Sequence, residues 1–138
     1  IARAQIENFT KHILNKKVKI GLLYRKIFEE NKNYFIPQKL FKNSKPSFWL
    51  NSIFFKKLNQ NQVKELGEHL IENKIEVRSG FWPLSKMPKF KSIKISNYKN
   101  TNNLFNQLLI LPSNIRIKKN DIEYFKKLID IFHRNKNL

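Results

Sequence analysis

The chain has 138 residues, of which 41% are hydrophobic and 13% aromatic, and this is enough for one domain with its own core. It has no cysteine, which excludes disulfide bonds, thiolate zinc sites and cysteine nucleophiles and is compatible with a cytoplasmic location. No run approaches the roughly 18 apolar residues that a membrane span needs, so we expect no membrane partner.

The formal net charge of +18 favours an anionic partner. Nucleic acid is one candidate, but 23 of the 28 basic residues are lysine, and they are spread along the chain. The sequence also has no RGG tract and no RNP-type aromatic pair. We therefore expect no nucleic-acid partner and keep a basic nucleic-acid-binding module only as an alternative. A phosphorylated small molecule suits the charge equally well.

The first residues of the chain predict a helix, since the spacing of Ile6, Phe9 and Ile13 puts them on one helical face. Thr10 is typical of an N-cap and predicts a bend, followed by a second helix over residues 11–30. The predicted buried stripe of that helix is Ile13, Ile20, Tyr24 and Ile27. A polar segment with Pro37 ends the helix, and residues 39–47 are predicted to be a loop.

Two strands with a helix between them are predicted next. Residues 48–55, FWLNSIFF, are dense in aromatic and β-forming residues and predict the first strand. The following NQNQ provides capping residues for a helix with Val63, Leu66 and Leu70 in register, and Asn73 is predicted to close it in a left-handed turn. Residues 75–79, IEVRS, predict the second strand.

The last third adds a short helix over residues 100–105, a buried strand over residues 107–112 and a final helix capped by Asn120 or Asp121. The predicted buried stripe of this final helix is Ile122, Phe125, Leu128, Ile129 and Phe132. The order predicts an α/β (α+β) fold of one domain over residues 1–138, with about three strands and helices over one face.

Catalytic patterns are missing from the sequence. His12, His69 and His133 lie in different elements without ligand spacing, so we expect each at the surface or on a helix flank and no metal site. There is no G-x-S-x-G elbow, and the three glycines do not form a phosphate-binding turn. We therefore expect no catalytic residue in this chain.

Two stretches resemble a known family. IEVRSGFWPL, residues 75–84, is similar to a G-I-x-T-R-P-x-x-x-P-L-H motif. LLILPSN, residues 108–114, followed by DIEYFKKLI, is similar to G-L-x-L-P-S followed by D-I. Together with the basic helix before them, these stretches resemble the C-terminal small domain of DegT/DnrJ/StrS-type sugar-nucleotide aminotransferases, especially perosamine-synthetase-like members, which have fold type I.

The resemblance implies an enzyme dependent on pyridoxal phosphate that transfers an amino group from glutamate to a nucleotide-linked keto-sugar. It implies that a large domain, missing from this chain, binds the cofactor and supplies the catalytic lysine, and that the complete enzyme is a homodimer. Residues 1–30 would link to that domain. Alone, the fragment is expected to be inactive and to supply only pocket wall and dimer surface.

Four residues in the loop after the second strand are implied as substrate contacts. Arg78 offers a planar fork for carboxylate or phosphate, and Lys86 offers a point charge. Phe81 and Trp82 can pack on a base or a sugar. Alternatively, the two rings pack between domains and Arg78 forms a structural ion pair.

The sequence departs from the family pattern at two places that bear on specificity. Ser85 stands where the motif has histidine, and Ser79 follows Arg78 where the motif has proline. Ser52 and Lys56 resemble the family's serine-to-lysine stretch, but no glycine-rich turn follows them, so we do not assign them to the cofactor. A freestanding noncatalytic domain that binds a nucleotide sugar or a protein therefore stays open as an alternative.

Overall fold

The computed structural model describes residues 3, 6–7, 9–31, 34–90 and 98–136. A π-helical segment, Phe9–Leu14, runs directly into helix α1, Asn15–Glu29. The predicted helix over residues 11–30 is therefore confirmed, but the predicted N-cap at Thr10 is wrong because Thr10 lies inside the π-helical segment. The helix predicted at the start of the chain falls mostly outside the described residues.

Helix α1 faces the core with most of its predicted stripe. Ile20, Tyr24 and Ile27 are buried, whereas Ile13 is only partly buried. Gly21 and Phe28 are also buried on this side of the helix. The buried face of helix α1 thus begins at Ile20.

The sheet has four strands, all antiparallel, in the order β1-β2-β4-β3. They are β1 Phe35–Pro37, β2 Asn51–Phe55, β3 Arg78–Ser79 and β4 Leu108–Leu111. The three predicted strands are present but shorter than expected. Strand β1 was not predicted because it has only three residues, including a proline, and exists through its pairing with β2.

Helix α2, Gln60–Glu72, follows the first predicted strand and begins with a capping box. Asn59 Oδ1 accepts a hydrogen bond from the Gln62 backbone N–H at 3.0 Å, and Gln62 Oε1 accepts one from the Asn59 N–H at 2.9 Å. The helix is closed by Lys74, whose φ is 65°, and not by Asn73 as predicted. Val63, Leu66 and Leu70 are buried as expected.

Helices α3, Lys99–Gln107, and α4, Lys119–Asn135, complete the fold. The N-cap position of α4 is Lys118 rather than Asn120 or Asp121. Asp121 nevertheless serves the helix start, because its Oδ2 accepts a hydrogen bond from the Lys118 N–H at 2.8 Å. The predicted stripe of α4 is buried, with Phe125 partly so.

One face of the sheet forms the core with the helices. Strand residues Phe35, Ile53, Phe55, Leu109 and Leu111 are buried in one cluster with α1, α2 and α4. The opposite face carries Ile36 and Arg78, which are exposed. The predicted α/β (α+β) class with helices over one face is therefore confirmed, with four strands instead of three. Within the part of the chain that the structure describes, no helix has both the length and the apolar character that a membrane span requires.

Candidate functional site

Arg78, the first residue of β3, reaches solvent on the face of the sheet away from the core. Val77 is buried, and the Arg78 side chain is 76% exposed. Its Nη2 lies 2.7 Å and its Nε 3.2 Å from Glu76 Oε1, and Glu76 is equally exposed. A surface pair of this kind contributes little to stability and is easily exchanged for another anion. Arg78 is thus accessible to a ligand.

Phe81 and Trp82 follow β3 directly and are 70% and 60% exposed. The Phe81 ring stacks on Trp49, with ring centroids 6.3 Å apart and planes inclined by 24°. The Trp82 ring contacts Phe105 of α3, with centroids 5.1 Å apart. The two adjacent aromatics therefore rest on different parts of the domain.

Lys86 lies in a 3-10 turn, Leu84–Lys86, that begins after the buried Pro83. Its Nζ is 5.0 Å from the centre of the Phe105 ring, which fits a cation–π contact. Trp82 and Lys86 consequently meet on Phe105. Nothing in the sequence indicates this role of Phe105, since a single aromatic in a short helix is ordinary.

Two depressions adjoin the loop. A groove of about 490 Å³ between α2, β3 and α3 is lined by Arg78, Trp82 and Phe105 among others. A hollow of about 290 Å³ at the end of β4 is lined by Arg78, Glu76, Ser113 and Asn114 over Ile110. Of the four predicted contacts, Arg78 and Trp82 line the groove, whereas Phe81 and Lys86 lie outside the lining of both depressions.

His133 corrects the prediction that all three histidines lie at the surface or on a helix flank. It is only 5% exposed, and its Nδ1 lies 2.8 Å from the Ile129 carbonyl oxygen. Rings of Tyr34, Phe35, Phe55 and Phe132 surround it. His133 is thus a core residue.

In the described part of the chain, no group of three or more His, Cys, Asp or Glu side chains is arranged to hold a metal ion.

Lys17 and Tyr24 of α1 attach the helix to the end of β4. Lys17 Nζ donates to Ser113 Oγ at 3.0 Å and to the Trp49 carbonyl at 3.3 Å, and burial lowers its pKa. Tyr24 donates its hydroxyl to the Pro112 carbonyl at 2.9 Å. Burial, reinforced by the charge of Asp121, raises the pKa of Tyr24, which therefore stays neutral at physiological pH.

The family model for DegT/DnrJ/EryC1/StrS aminotransferases matches residues 1–129. The chain belongs to this aminotransferase family. A search of curated proteins found no match. The family membership agrees with the resemblance of residues 75–84 and 108–114 to the family motifs.

A part of several solved aminotransferases has the same fold as this chain. Helicobacter pylori PseC, an aminotransferase involved in the biosynthesis of pseudoaminic acid, has a TM-score of 0.81 at 16% identity, covering 96% of this chain and 35% of PseC. The putative sugar aminotransferase Spr1654 from Streptococcus pneumoniae, in its PMP form, has a TM-score of 0.83 at 15% identity, covering 98% and 35%. DesI in the presence of its TDP-sugar product has a TM-score of 0.78 at 13% identity, covering 91% and 32%.

At such identities the similarity shows the fold alone. The chain spans about a third of the length of these solved structures, at 35%, 35% and 32%. An aminotransferase needs a lysine for pyridoxal phosphate and donors for its phosphate group. In the described part of the chain, none of the three glycines forms a phosphate-binding turn. Gly21 and Gly67 are inside helices, Gly80 packs against Leu108, and the stretch after Ser52 and Lys56 leads directly into α2.

Proposed function

We propose that this chain is the C-terminal small domain of an aminotransferase that depends on pyridoxal phosphate. Residues 1–30 would link it to a large cofactor-binding domain outside this chain. The complete enzyme would be a cytoplasmic homodimer that moves an amino group from glutamate to a keto-sugar linked to a nucleoside diphosphate. The family match over residues 1–129 and the span of about a third of the solved relatives support this proposal.

The observation that carries the proposal is the surface formed by the loop after β3. Arg78, Phe81 and Trp82 are all accessible, and the following 3-10 turn holds Lys86 on Phe105. A guanidinium and an ammonium can bind the phosphate groups of a nucleotide sugar, and the rings can pack on its flat parts. Because two prolines and short turns fix the loop, little conformational freedom is lost when a ligand binds.

In this proposal the chain orients the substrate and excludes water from it, and it takes no covalent part in the reaction. Pyridoxal phosphate, bound by the large domain, would supply the amino-transfer chemistry. The isolated chain should therefore bind the substrate without converting it to product.

Amino transfer is tested by following 2-oxoglutarate formation from glutamate in the presence of pyridoxal phosphate and a nucleoside-diphosphate keto-sugar. We expect no product with the 138-residue chain alone, and product when the chain is co-expressed with the polypeptide encoded directly upstream of it. Within that complex, Arg78→Met should raise the KM for the keto-sugar about 10-fold or more, because a charged hydrogen bond is lost. The control Arg116→Met changes an exposed arginine outside this loop and should leave the KM unchanged.

Turnover by the chain alone would contradict the proposal. If the chain binds a nucleotide sugar and the complex is inactive, the chain is a freestanding domain that only binds its ligand. A nucleic-acid-binding module would show oligonucleotide affinity that falls steeply with salt.

A further inference from the structure

Trp49 has an exposed side chain on a firmly held backbone. The side chain is 67% exposed, yet the Trp49 carbonyl accepts hydrogen bonds from Lys17 Nζ at 3.3 Å and Ser113 Oγ at 3.0 Å. The preceding Phe48 has a φ of 47°, which large side chains rarely adopt. Strain of this kind persists where the surroundings enforce it and is common at ligand sites. The fold thus fixes the point from which an unburied tryptophan projects.

The Trp49 ring is one half of an aromatic pair. Phe81, which is 70% exposed, stacks on it from the loop that also carries Arg78. Large rings that are paired but unburied leave a flat π-surface open to solvent. Such a surface suits the stacking of another flat ring, as in aromatic platforms for nucleobases.

Anion-binding groups lie beside this aromatic pair. Ser113, which holds the Trp49 carbonyl, also lines the hollow of about 290 Å³ with Arg78 and Asn114. The Lys17 ammonium is 3.0 Å from Ser113 Oγ. Cationic groups therefore stand next to a flat apolar surface, which is the combination that a nucleotide requires. Glu76 weakens the binding of an anion in this hollow, because its carboxylate already pairs with Arg78.

We propose that Trp49 and Phe81 bind the base of a nucleoside diphosphate while Arg78 binds its phosphate groups in the adjoining hollow. The inference rests on the proposed function and deepens it, because it assigns the nucleotide part of the substrate to named residues and adds Trp49 to the site. The charge of +18 favours an anionic ligand such as a nucleotide at this surface.

The first test measures binding of uridine diphosphate to the 138-residue chain by calorimetry. Trp49→Ala should weaken binding about 5- to 100-fold, the range for losing one base–aromatic stack. Trp49→Phe retains a ring and should recover most of the affinity. Phe41→Ala is the matched control, because Phe41 is an equally exposed aromatic outside this surface and its loss should change nothing.

A second test separates the base from the phosphate groups. Inorganic pyrophosphate should bind more weakly than uridine diphosphate and should be insensitive to Trp49→Ala. Glu76→Gln should strengthen both ligands severalfold, because it removes the competing carboxylate, whereas Glu72→Gln at the exposed end of α2 should not.

Three outcomes would overturn the subsite: no binding of uridine diphosphate, equal affinity for pyrophosphate, or unchanged affinity in Trp49→Ala. If Trp49→Ala instead abolishes association with the upstream polypeptide and leaves nucleotide binding intact, the surface is a protein interface and the subsite is wrong. Turnover by the complex in any of these cases would leave the proposed function standing, so the two failures are distinguishable.

Discussion

The ring of Phe48 fills the space in which a β-carbon on Gly21 would lie. Such a carbon would be 2.0 Å from Phe48 Cγ and 2.2 Å from Cδ1. Helix α1 can approach the turn before β2 this closely only because Gly21 has no side chain. The contact also explains why Phe48 is buried although its backbone is in the left-handed region.

Gly21→Ala should destabilise the domain for this reason. Overpacking costs about 1–3 kcal/mol or more, which exceeds the gain of about 1 kcal/mol that alanine brings to a helix interior. Urea unfolding measures the difference. Gly67→Ala in α2 is the matched control, because its added carbon would meet Leu109 and Val77 at 3.8 Å. That variant should be stabilised by about 0.5–1 kcal/mol, and equal destabilisation of both variants would contradict the packing described for Phe48.

The stability of the domain should fall at alkaline pH because of Tyr24. Its pKa is raised in the folded state above the ordinary 10.0, so the unfolded chain loses the phenolic proton first. The stabilising effect is complete below about pH 10 and is lost above it, at up to about 1.4 kcal/mol per pH unit.

Tyr24→Phe isolates this effect. The variant lacks the hydrogen bond to Pro112 and should be about 1 kcal/mol less stable than the parent at pH 7. At pH 11 this difference in the free energy of unfolding should shrink or reverse. The unfolded parent then loses the Tyr24 proton, which lowers the stability of the parent but not that of Tyr24→Phe. A deficit that stays constant between these pH values, measured by urea unfolding, would mean that Tyr24 is not shielded as described.

The capping box of α2 should be worth about 1 kcal/mol. Asn59→Ala removes the acceptor for the Gln62 N–H and should lower the free energy of unfolding by that amount. Asn61→Ala, at the exposed second residue of the same helix, should be neutral or slightly stabilising. Thermal unfolding of both variants compares the two, and equal melting temperatures would argue against the cap.

His133→Ala should cost about 2–4 kcal/mol, because it leaves a cavity among four aromatic rings. His133→Phe keeps the ring volume and should recover most of that loss despite losing the contact with the Ile129 carbonyl. His12→Ala changes an exposed histidine and should lie within about 0.5 kcal/mol of the parent. Similar urea midpoints for His133→Ala and His12→Ala would place His133 at the surface after all.

Elements with strong local signals were predictable from the sequence. Helices α2 and α4 have apolar residues at helical spacing and capping side chains at their N-termini. Strand β4 is a short apolar run that ends before Pro112. Strand β1 was missed because it has only three residues, including Pro37, and its pairing with β2 defines it. The left-handed residue after α2 was misassigned because asparagine usually takes that conformation more readily than Lys74 does.

The candidate site was predictable in part. The loop with Arg78 and Phe81 stood out through its prolines, aromatics and cations. Trp49 did not, because its exposure follows from the unusual backbone of Phe48 and from contacts with Lys17 and Ser113, which are far away in the sequence. His133 was misplaced for a similar reason, since the rings that surround it come from two other parts of the chain and from its own helix.

The pairing of β2 with β4 has a consequence for how the domain folds. It aligns Asn51 with Leu111 and Phe54 with Leu108, so the intervening chain must close a long loop before these hydrogen bonds form. Helix α2 lies within that loop and depends on neighbours in sequence, so it can form much sooner. We expect the central strands to associate late, with β3 joining only after β4 is in place, and refolding to be slower than in a helical bundle of equal size.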